Sequence, residues 1–115
     1  MARDPRVALT EILSAVALSR EATAGLSFSA FEQDRIRVAA AQRALEIISE
    51  ATRHLPSELT GRHVAIPWQD IKMIGNTLRH QYFRVDNKIV WDVIRLDLDA
   101  LEQTIEAELK LLPGA

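Results

Sequence analysis

The sequence predicts an all-α protein, an antiparallel up-and-down bundle of four helices. Three observations support this fold class. Only four glycines and four prolines interrupt the 115 residues. Apolar residues recur at three- and four-residue spacing in four separate stretches, and strand-like alternation is nearly absent. Amphipathic helices joined by short connections typically pack as such a bundle. The length predicts one domain, residues 1–115.

The first predicted helix begins at Pro5, a favourable first-turn residue, and extends to about Ala22. Gly25 follows it, where a C-cap glycine is expected. The second predicted helix begins at the segment "SAFE", in which Ser29 and Glu32 match a capping box, and extends to about His54. The buried stripes of these two helices are predicted to contain Leu9, Ile12, Leu13 and Val16, and then Phe31, Val38, Ala41, Leu45 and Ile48.

The segment 55–67 is the longest break in the helical pattern, and it leaves room for a short extra helix. Pro67 is predicted to open the third helix, "WQDIKMIGNTLRHQYF". Asp86 or Asn87 is predicted to cap the fourth helix, which ends near Pro113. The stripe of this last helix is predicted to contain Val90, Ile94, Leu98, Leu101, Ile105 and Leu109.

Composition excludes several classes of protein. A formal net charge of −2 is not typical of a protein that binds nucleic acid over its whole surface, and we expect no DNA partner. The absence of cysteine excludes a disulfide framework and a thiolate metal site. No apolar run approaches the ~20 residues that cross a bilayer, and the first twenty residues do not resemble a signal peptide. We therefore expect a cytoplasmic protein with no membrane partner.

Charge is unevenly distributed along the chain. Residues 72–88 hold five Lys, Arg or His side chains and one acid, whereas residues 92–108 hold six acids and one base. This division suits a basic site followed by an acidic surface. Two ordinary solvated helix faces would give the same pattern.

Four chemically active side chains crowd one end of the third helix: Asn76, Arg79, His80 and Tyr82. An imidazole exchanges protons near neutral pH, a guanidinium matches phosphate oxygens, and an amide can orient a hydroxyl. This set suits cleavage of RNA, whose own 2′-OH can act as the nucleophile. The alternative is an exposed polar face, or a loop held by hydrogen bonds from His80 and Tyr82.

Other candidate residues have simpler explanations. His54 and His63 lie near breaks and lack paired carboxylates, so we do not expect a metal site. Trp68 and Trp91 lie at helix starts among apolar residues. Core packing explains these indoles better than base stacking does.

Four segments carry a resemblance to a known family: "AGLSFSAFEQD", "ALEIISEA", "IPWQDIKMIGNTLRHQYF" and "VDNKIVWDVIRLDL". The chain resembles HepT-like proteins of the HEPN superfamily along nearly its whole length. That resemblance implies a small helical homodimer, which pairs with a minimal nucleotidyltransferase antitoxin in a toxin–antitoxin module. It further implies metal-independent RNA cleavage by an R-x4-H motif in a cleft between protomers. The partner enzyme attaches AMP to the tyrosine of the following H-x-Y.

The family pattern maps onto this chain with one departure. His80 matches the motif histidine, Tyr82 the AMP acceptor, and Asn76 the polar residue after the motif arginine. The motif arginine itself falls at Gly75. Arg79, one turn later, could lie back over the vacant position and replace it. We therefore expect His80, Arg79 and Asn76 to be catalytic, with no cofactor.

Two consequences of the glycine stay open. Gly75 could instead permit the close approach of another helix, for example across a two-fold dimer interface. The chain could also be a catalytically impaired HEPN module that only binds nucleotide or a partner. Two further cations, Lys72 and Arg84, are predicted to bind RNA phosphate.

Overall fold

The computed structural model describes residues 4–81, 83 and 85–113, and most of them are helical. No β-strand occurs within these ranges, which confirms the all-α prediction. In the same ranges, no helix is both long and apolar enough to cross a bilayer. The elements are α1 (Pro5–Thr23), α2 (Phe28–Gln33), α3 (Arg35–Thr52), α4 (Ser57–Gly61), α5 (Trp68–Gln81), α6 (Asn87–Asp92), a π-helical segment (Val93–Asp97) and α7 (Leu98–Leu111).

The long helices pack around a single apolar core. Helix α3 packs against α1 on one side and α5 on the other, and α1 also packs against α7. The predicted stripes supply this core, although Leu13, Val38 and Leu109 lie at its edge and are only partly buried. The largest fully buried side chains are Phe31, Leu9, Ile12, Ile48, Leu78, Leu98, Leu101 and Ile105.

The predicted second helix is divided in two, and the capping box at Ser29 was wrong. Ser27 caps α2 instead, because its hydroxyl accepts the Ala30 N–H at 3.1 Å. Asp34 then ends α2 and begins α3, since its carboxylate accepts the Arg37 N–H at 3.1 Å. Both side chains satisfy N–H groups that a helix leaves unpaired at its start. The strong N-cap at Asp34 thus favours the start of a new helix there over one continuous helix.

Aromatic packing fixes the short helix α2 against α6. The ring of Trp91 lies 5.3 Å from the ring of Phe31 and 5.9 Å from that of Phe28, measured between centroids. The guanidinium of Arg95 lies 5.2 Å above the Trp91 indole. Trp91 is therefore a packing residue, as predicted.

The last predicted helix contains a π-helical segment, Val93–Asp97, which the periodicity did not indicate. Val90, Ile94 and Leu98 are all buried at steps of four residues. Two such steps on an ideal α-helix drift by about 80°, since each residue turns about 100°. The wider π-turn keeps the three side chains on one face. Asp86 caps α6 through the Lys88 N–H at 2.8 Å, as predicted.

The connection before α5 contains the short helix α4 and is held by two polar contacts. The indole N–H of Trp68 donates to the carbonyls of Thr60 at 3.1 Å and His63 at 3.0 Å. The Glu108 carboxylate on α7, in a residue only 4% exposed, accepts hydrogen bonds from Arg62 at 2.7 and 3.3 Å. The other partner of this carboxylate is the His63 ring, 2.7 Å away. The extra helix was correctly predicted, and His63 has a structural partner.

Helices α3 and α5 make their closest approach at Gly75. A Cβ atom added to Gly75 would overlap both the Cβ and the Oγ of Ser49, and would lie 3.5 Å from the Ser49 Cα. The Ser49 hydroxyl meanwhile donates to the Lys72 carbonyl at 3.0 Å. Gly75 is therefore a packing glycine, and the helix that approaches it belongs to the same chain.

The side-chain contacts on either side of Gly75 show that α3 and α5 run antiparallel. Glu50 of α3 lies beside Arg79, with 3.8 Å between Oε2 and Nη1. Arg53, three residues after Glu50, donates to the Lys72 carbonyl at 3.4 Å. Lys72 precedes Arg79 by seven residues, so the chain direction of α5 is opposite to that of α3. The exposed end of α3 thus lies alongside the polar face of α5.

Replacing Gly75 by alanine is expected to destabilise the protein. Inside a helix, the intrinsic propensity of alanine is more favourable than that of glycine by about 1 kcal/mol. The new Cβ nevertheless forces α3 and α5 apart, and overpacking of this kind typically costs about 1–3 kcal/mol. We expect a lower free energy of unfolding in chemical denaturation, with Ser49→Gly/Gly75→Ala as the matched control. In that double variant the Cβ at position 75 meets the Cα at position 49 at an ordinary contact distance. The double variant should therefore lose less free energy of unfolding than the two single variants lose together. Additive losses would contradict the contact.

Glu108 should make stability depend on pH in the acid range. Hydrogen bonds from Arg62 in the first place, and from His63, lower the pKa of Glu108 against the opposing effect of burial. A folded-state pKa below the unfolded one stabilises the protein above pH 4.5, the ordinary value of this carboxyl, and the stabilisation is lost as pH falls through the folded pKa. Glu108→Gln should therefore melt at a lower temperature at pH 7, and the gap to wild type should narrow below pH 4.5. A gap that stays constant from pH 7 to pH 3 would refute this role.

Candidate active site

The predicted catalytic residues lie in the C-terminal half of α5. Leu78 is buried and Ile74 partly buried on the bundle side of this helix. Asn76, Arg79 and His80 are all exposed. The amphipathic pattern of α5 therefore presents an amide, a guanidinium and an imidazole to solvent at one end of the bundle.

Arg79 occupies the flank of α5 that faces α3. Its side chain is 46% exposed, and its guanidinium lies 3.8 Å from the Glu50 carboxylate. The space over Gly75 is filled by Ser49, so the guanidinium does not occupy the place that sequence reasoning assigned to it. The same contact excludes an arginine at position 75, because any side chain there begins with the Cβ that Ser49 displaces.

His80 and Asn76 occupy the open flank of the helix. Successive residues turn about 100° around a helix axis, so the His80 ring points well away from the Arg79 guanidinium. Asn76, one turn earlier, lies between them by the same geometry. Among the described residues, neither the ring of His80 nor the amide of Asn76 has a hydrogen-bond or ion-pair partner. Both are free to meet a ligand.

The other predicted site residues are placed less completely. Lys72 lies two turns before Arg79 on the same side of α5 and is partly buried. Its carbonyl accepts bonds from Ser49 and Arg53. Tyr82, the predicted AMP acceptor, and Arg84, a predicted phosphate ligand, lie outside the described residues.

A single carboxylate near the end of α3 is shared by two guanidinium groups and an imidazole. Glu50 lies 3.8 Å from Arg53 Nε, 3.5 Å from His54 Nε2 and 3.8 Å from Arg79 Nη1. His54 thus faces a carboxylate next to the candidate site. In the part of the chain that is described, no three His, Asp or Glu side chains converge as a metal site would require.

Comparison with known proteins gives the family. The family model described as HepT-like ribonuclease matches residues 12–108. The chain belongs to the HepT-like ribonuclease family. A protein of Caldanaerobacter subterraneus subsp. tengcongensis, whose name proposes an RNase, is 34% identical over 94% of this chain and 96% of its own length.

Further relatives agree with this assignment. A "probable ribonuclease HepT" of Thermococcus cleftensis is 33% identical, over 92% of this chain and 96% of its own length. A protein of Methanocaldococcus jannaschii whose name also proposes an RNase is 28% identical, over 90% of this chain and 95% of its own length. No solved structure shows a significant match. The helical bundle is consistent with the HEPN fold of a HepT-like chain.

Three residues that sequence reasoning did not connect with the candidate site lie near it. The spacing of Glu50, Arg53 and His54 along α3 is visible in the sequence as pairs three and four residues apart. Their position beside Arg79 is not, because it depends on the α3–α5 contact. A signal was nevertheless present in Gly75, whose lack of a side chain in a helix interior indicated that another helix comes close.

Proposed function

We propose that this HepT-like chain is a metal-independent endoribonuclease in which His80, Arg79 and Asn76 are the catalytic residues. The observation that supports the proposal is the free imidazole at the exposed end of α5, with a half-exposed guanidinium on the adjacent flank. These are the two groups that RNA cleavage by an internal nucleophile requires: one that moves a proton and one that stabilises an anion.

The reaction begins at the ribose 2′-OH of the substrate. His80 takes the proton of this hydroxyl, and the 2′-oxygen forms a bond to the adjacent phosphorus. The bond from phosphorus to the 5′-oxygen breaks, and that oxygen leaves with a proton. Arg79 stabilises the additional negative charge on the phosphoryl oxygens, and Asn76 orients the hydroxyl. The products are a 2′,3′-cyclic phosphate and a 5′-hydroxyl end, and DNA is not a substrate because it lacks the 2′-OH.

A homodimer would supply a second proton-transfer group. One imidazole cannot hold the proton of the nucleophile and donate to the leaving oxygen at the same instant. Two copies facing each other across a two-fold axis bring two His80 rings into one cleft, one as base and one as acid. The exposed position of His80 at the end of the bundle is compatible with such a cleft.

We further propose that the chain is the toxin of a cytoplasmic toxin–antitoxin module, with a minimal nucleotidyltransferase as the antitoxin. Tyr82 follows the exposed His80 by two residues, and the partner would attach AMP to its hydroxyl. The attached nucleotide adds bulk and a negative charge beside Arg79 and His80. RNA phosphate would then be both blocked and repelled.

A second function is favoured by the position of Arg79. Its guanidinium is shared with Glu50, and Ser49 fills the place of the motif arginine. A chain without an arginine in the motif position would keep the helical bundle and the ability to bind a partner, but it would not cleave RNA. It would then act as a nucleotide- or partner-binding module. RNA cleavage by the purified protein separates this function from the first.

Cleavage of single-stranded RNA should depend on His80 and Arg79. The His80→Ala and Arg79→Ala variants should each cleave at least about 100-fold more slowly, the usual contribution of general acid–base catalysis and of a transition-state anion donor. The assay follows a labelled oligonucleotide in the presence of EDTA and detects the cyclic phosphate by mass spectrometry.

The matched control for cleavage is Thr77→Ala, on the same exposed helix, where the hydroxyl bonds only the Met73 carbonyl at 3.0 Å. It should cleave like wild type. Equal and negligible cleavage by wild type, His80→Ala and Arg79→Ala would eliminate the nuclease function and leave the binding module.

Modification of the chain should require Tyr82. Co-expression with a minimal nucleotidyltransferase of the proposed antitoxin type should raise the mass of the protein by one AMP unit, and Tyr82→Phe should abolish the increase. The modified protein should lose RNA cleavage because the added phosphate repels substrate. An unchanged mass increase in Tyr82→Phe would place the modification elsewhere.

A further inference from the structure

The charges around Arg79 are distributed unequally. Toward the middle of α3, Arg79 borders a cavity of about 220 Å³ whose described lining also includes Glu11, Glu46 and Glu50, together with Arg43. Among these described residues, acids outnumber bases. An RNA strand leaving the site along this cavity would meet net negative charge.

The opposite direction, toward the end of α3, is basic. Arg53 and His54 lie there with Lys72 of α5, and among these residues Glu50 is the carboxylate that contacts cations. Even if His54 is neutral, the three positive charges of Arg53, Lys72 and Arg79 outnumber the single carboxylate of Glu50. This end of the α3–α5 surface therefore carries an excess of positive charge.

The contacts that hold these cations are weak enough to be exchanged for a phosphate. The ion pairs of Glu50 with Arg53 and Arg79 span 3.8 Å each, and the side chains involved are 40–50% exposed. Exposed pairs of this kind contribute little to stability. A guanidinium binds phosphate more strongly, because two parallel charge-assisted hydrogen bonds form.

Arg53 extends across the α3–α5 contact to the same side of α5 as Lys72. Its terminal nitrogen donates to the Lys72 carbonyl at 3.4 Å, which holds the guanidinium at the junction of the two helices. Lys72 and Arg79 are seven residues apart, or about 10 Å along α5. Viewed down the axis of α5, an arc of about 100° contains Lys72, Asn76, Arg79 and His80. The cations thus form a continuous strip that leads away from His80.

We propose that Arg53, His54 and Lys72 form a phosphate-binding extension of the active site, which holds the RNA backbone next to the cleaved bond. The strand runs from His80 along α5 toward the end of α3, and not toward the acidic cavity. Here the ligand is the sugar–phosphate backbone of single-stranded RNA, bound without regard to base sequence. This assignment rests on the proposed ribonuclease function.

The test measures RNA binding separately from cleavage. Binding of a fluorescent single-stranded RNA of mixed sequence is followed by anisotropy, in the full-length His80→Ala protein, at several salt concentrations. Adding Arg53→Gln should weaken binding several-fold and reduce the slope of log K against log salt by about 0.7, the value for one phosphate contact in single strands. His54→Gln should weaken binding less, and Arg53→Lys should retain most of it because the charge remains.

Arg43→Gln is the matched control. Arg43 is another arginine of α3, paired with Glu46 at 3.2 Å on the acidic side of Arg79. Its loss should leave both the affinity and the salt slope unchanged. In the cleaving protein, Arg53→Gln should raise KM with little change in kcat, because the extension binds substrate and transition state alike.

The outcomes separate the two proposals. If the protein binds and cleaves RNA but Arg53→Gln behaves like Arg43→Gln, the extension is wrong and the nuclease function stands. If Arg53→Gln lowers kcat and leaves KM unchanged, the extension is also wrong. Failure of the His80→Ala protein and of wild type to bind RNA at all would overturn both proposals.

Discussion

The contact between Ser49 and Gly75 determines how the rest of this surface is built. The Ser49 side chain of α3 occupies the space that a methyl group at position 75 of α5 would need. A hydrogen bond from the Ser49 hydroxyl to the Lys72 carbonyl sets the register of the two helices at the same point. Dense packing transmits such a constraint along both helices, since neither can slide or separate without loss of contacts.

This contact leaves no room for a side chain at position 75, where the family that the sequence resembles is expected to have an arginine. An arginine of α5 lies one turn later. Arg79 is that residue, and the close packing places it beside Glu50 on α3. The cations at the end of α3 are brought to the same place by the same geometry. The glycine at position 75 and the approach of Glu50 to Arg79 are therefore two features of one packing arrangement.

A second set of contacts supports the start of α5. The Trp68 indole is bonded to two carbonyls of the preceding connection, and the same connection is joined to α7 through Arg62, His63 and the buried carboxylate of Glu108. A buried carboxylate is favourable only when its hydrogen-bonding capacity is satisfied, and here two cationic or polar groups satisfy it. Helix α5 thus begins on a firmly held segment, and the candidate residues Asn76, Arg79 and His80 lie in its other half.

The sequence alone determined the all-α class, the apolar stripes, the start of the first helix at Pro5, the cap of the last predicted helix at Asp86, the short helix in the 55–67 connection and the packing role of both tryptophans. These features depend on local spacing and on caps that act within a few residues. Local reasoning failed where two local signals competed. Ser27 and Asp34 replaced Ser29 as helix starts, and a π-turn entered the last helix to keep Val90, Ile94 and Leu98 on one face. The sequence also selected Asn76, Arg79 and His80 as one polar face of α5. Only the tertiary structure decided that Ser49 fills the space over Gly75, and that Glu50, Arg53 and His54 lie beside Arg79. The reason is physical: these groups are 25 to 29 residues apart in the chain, and their distances depend on how closely two helices pack, a property that no spacing within one helix records.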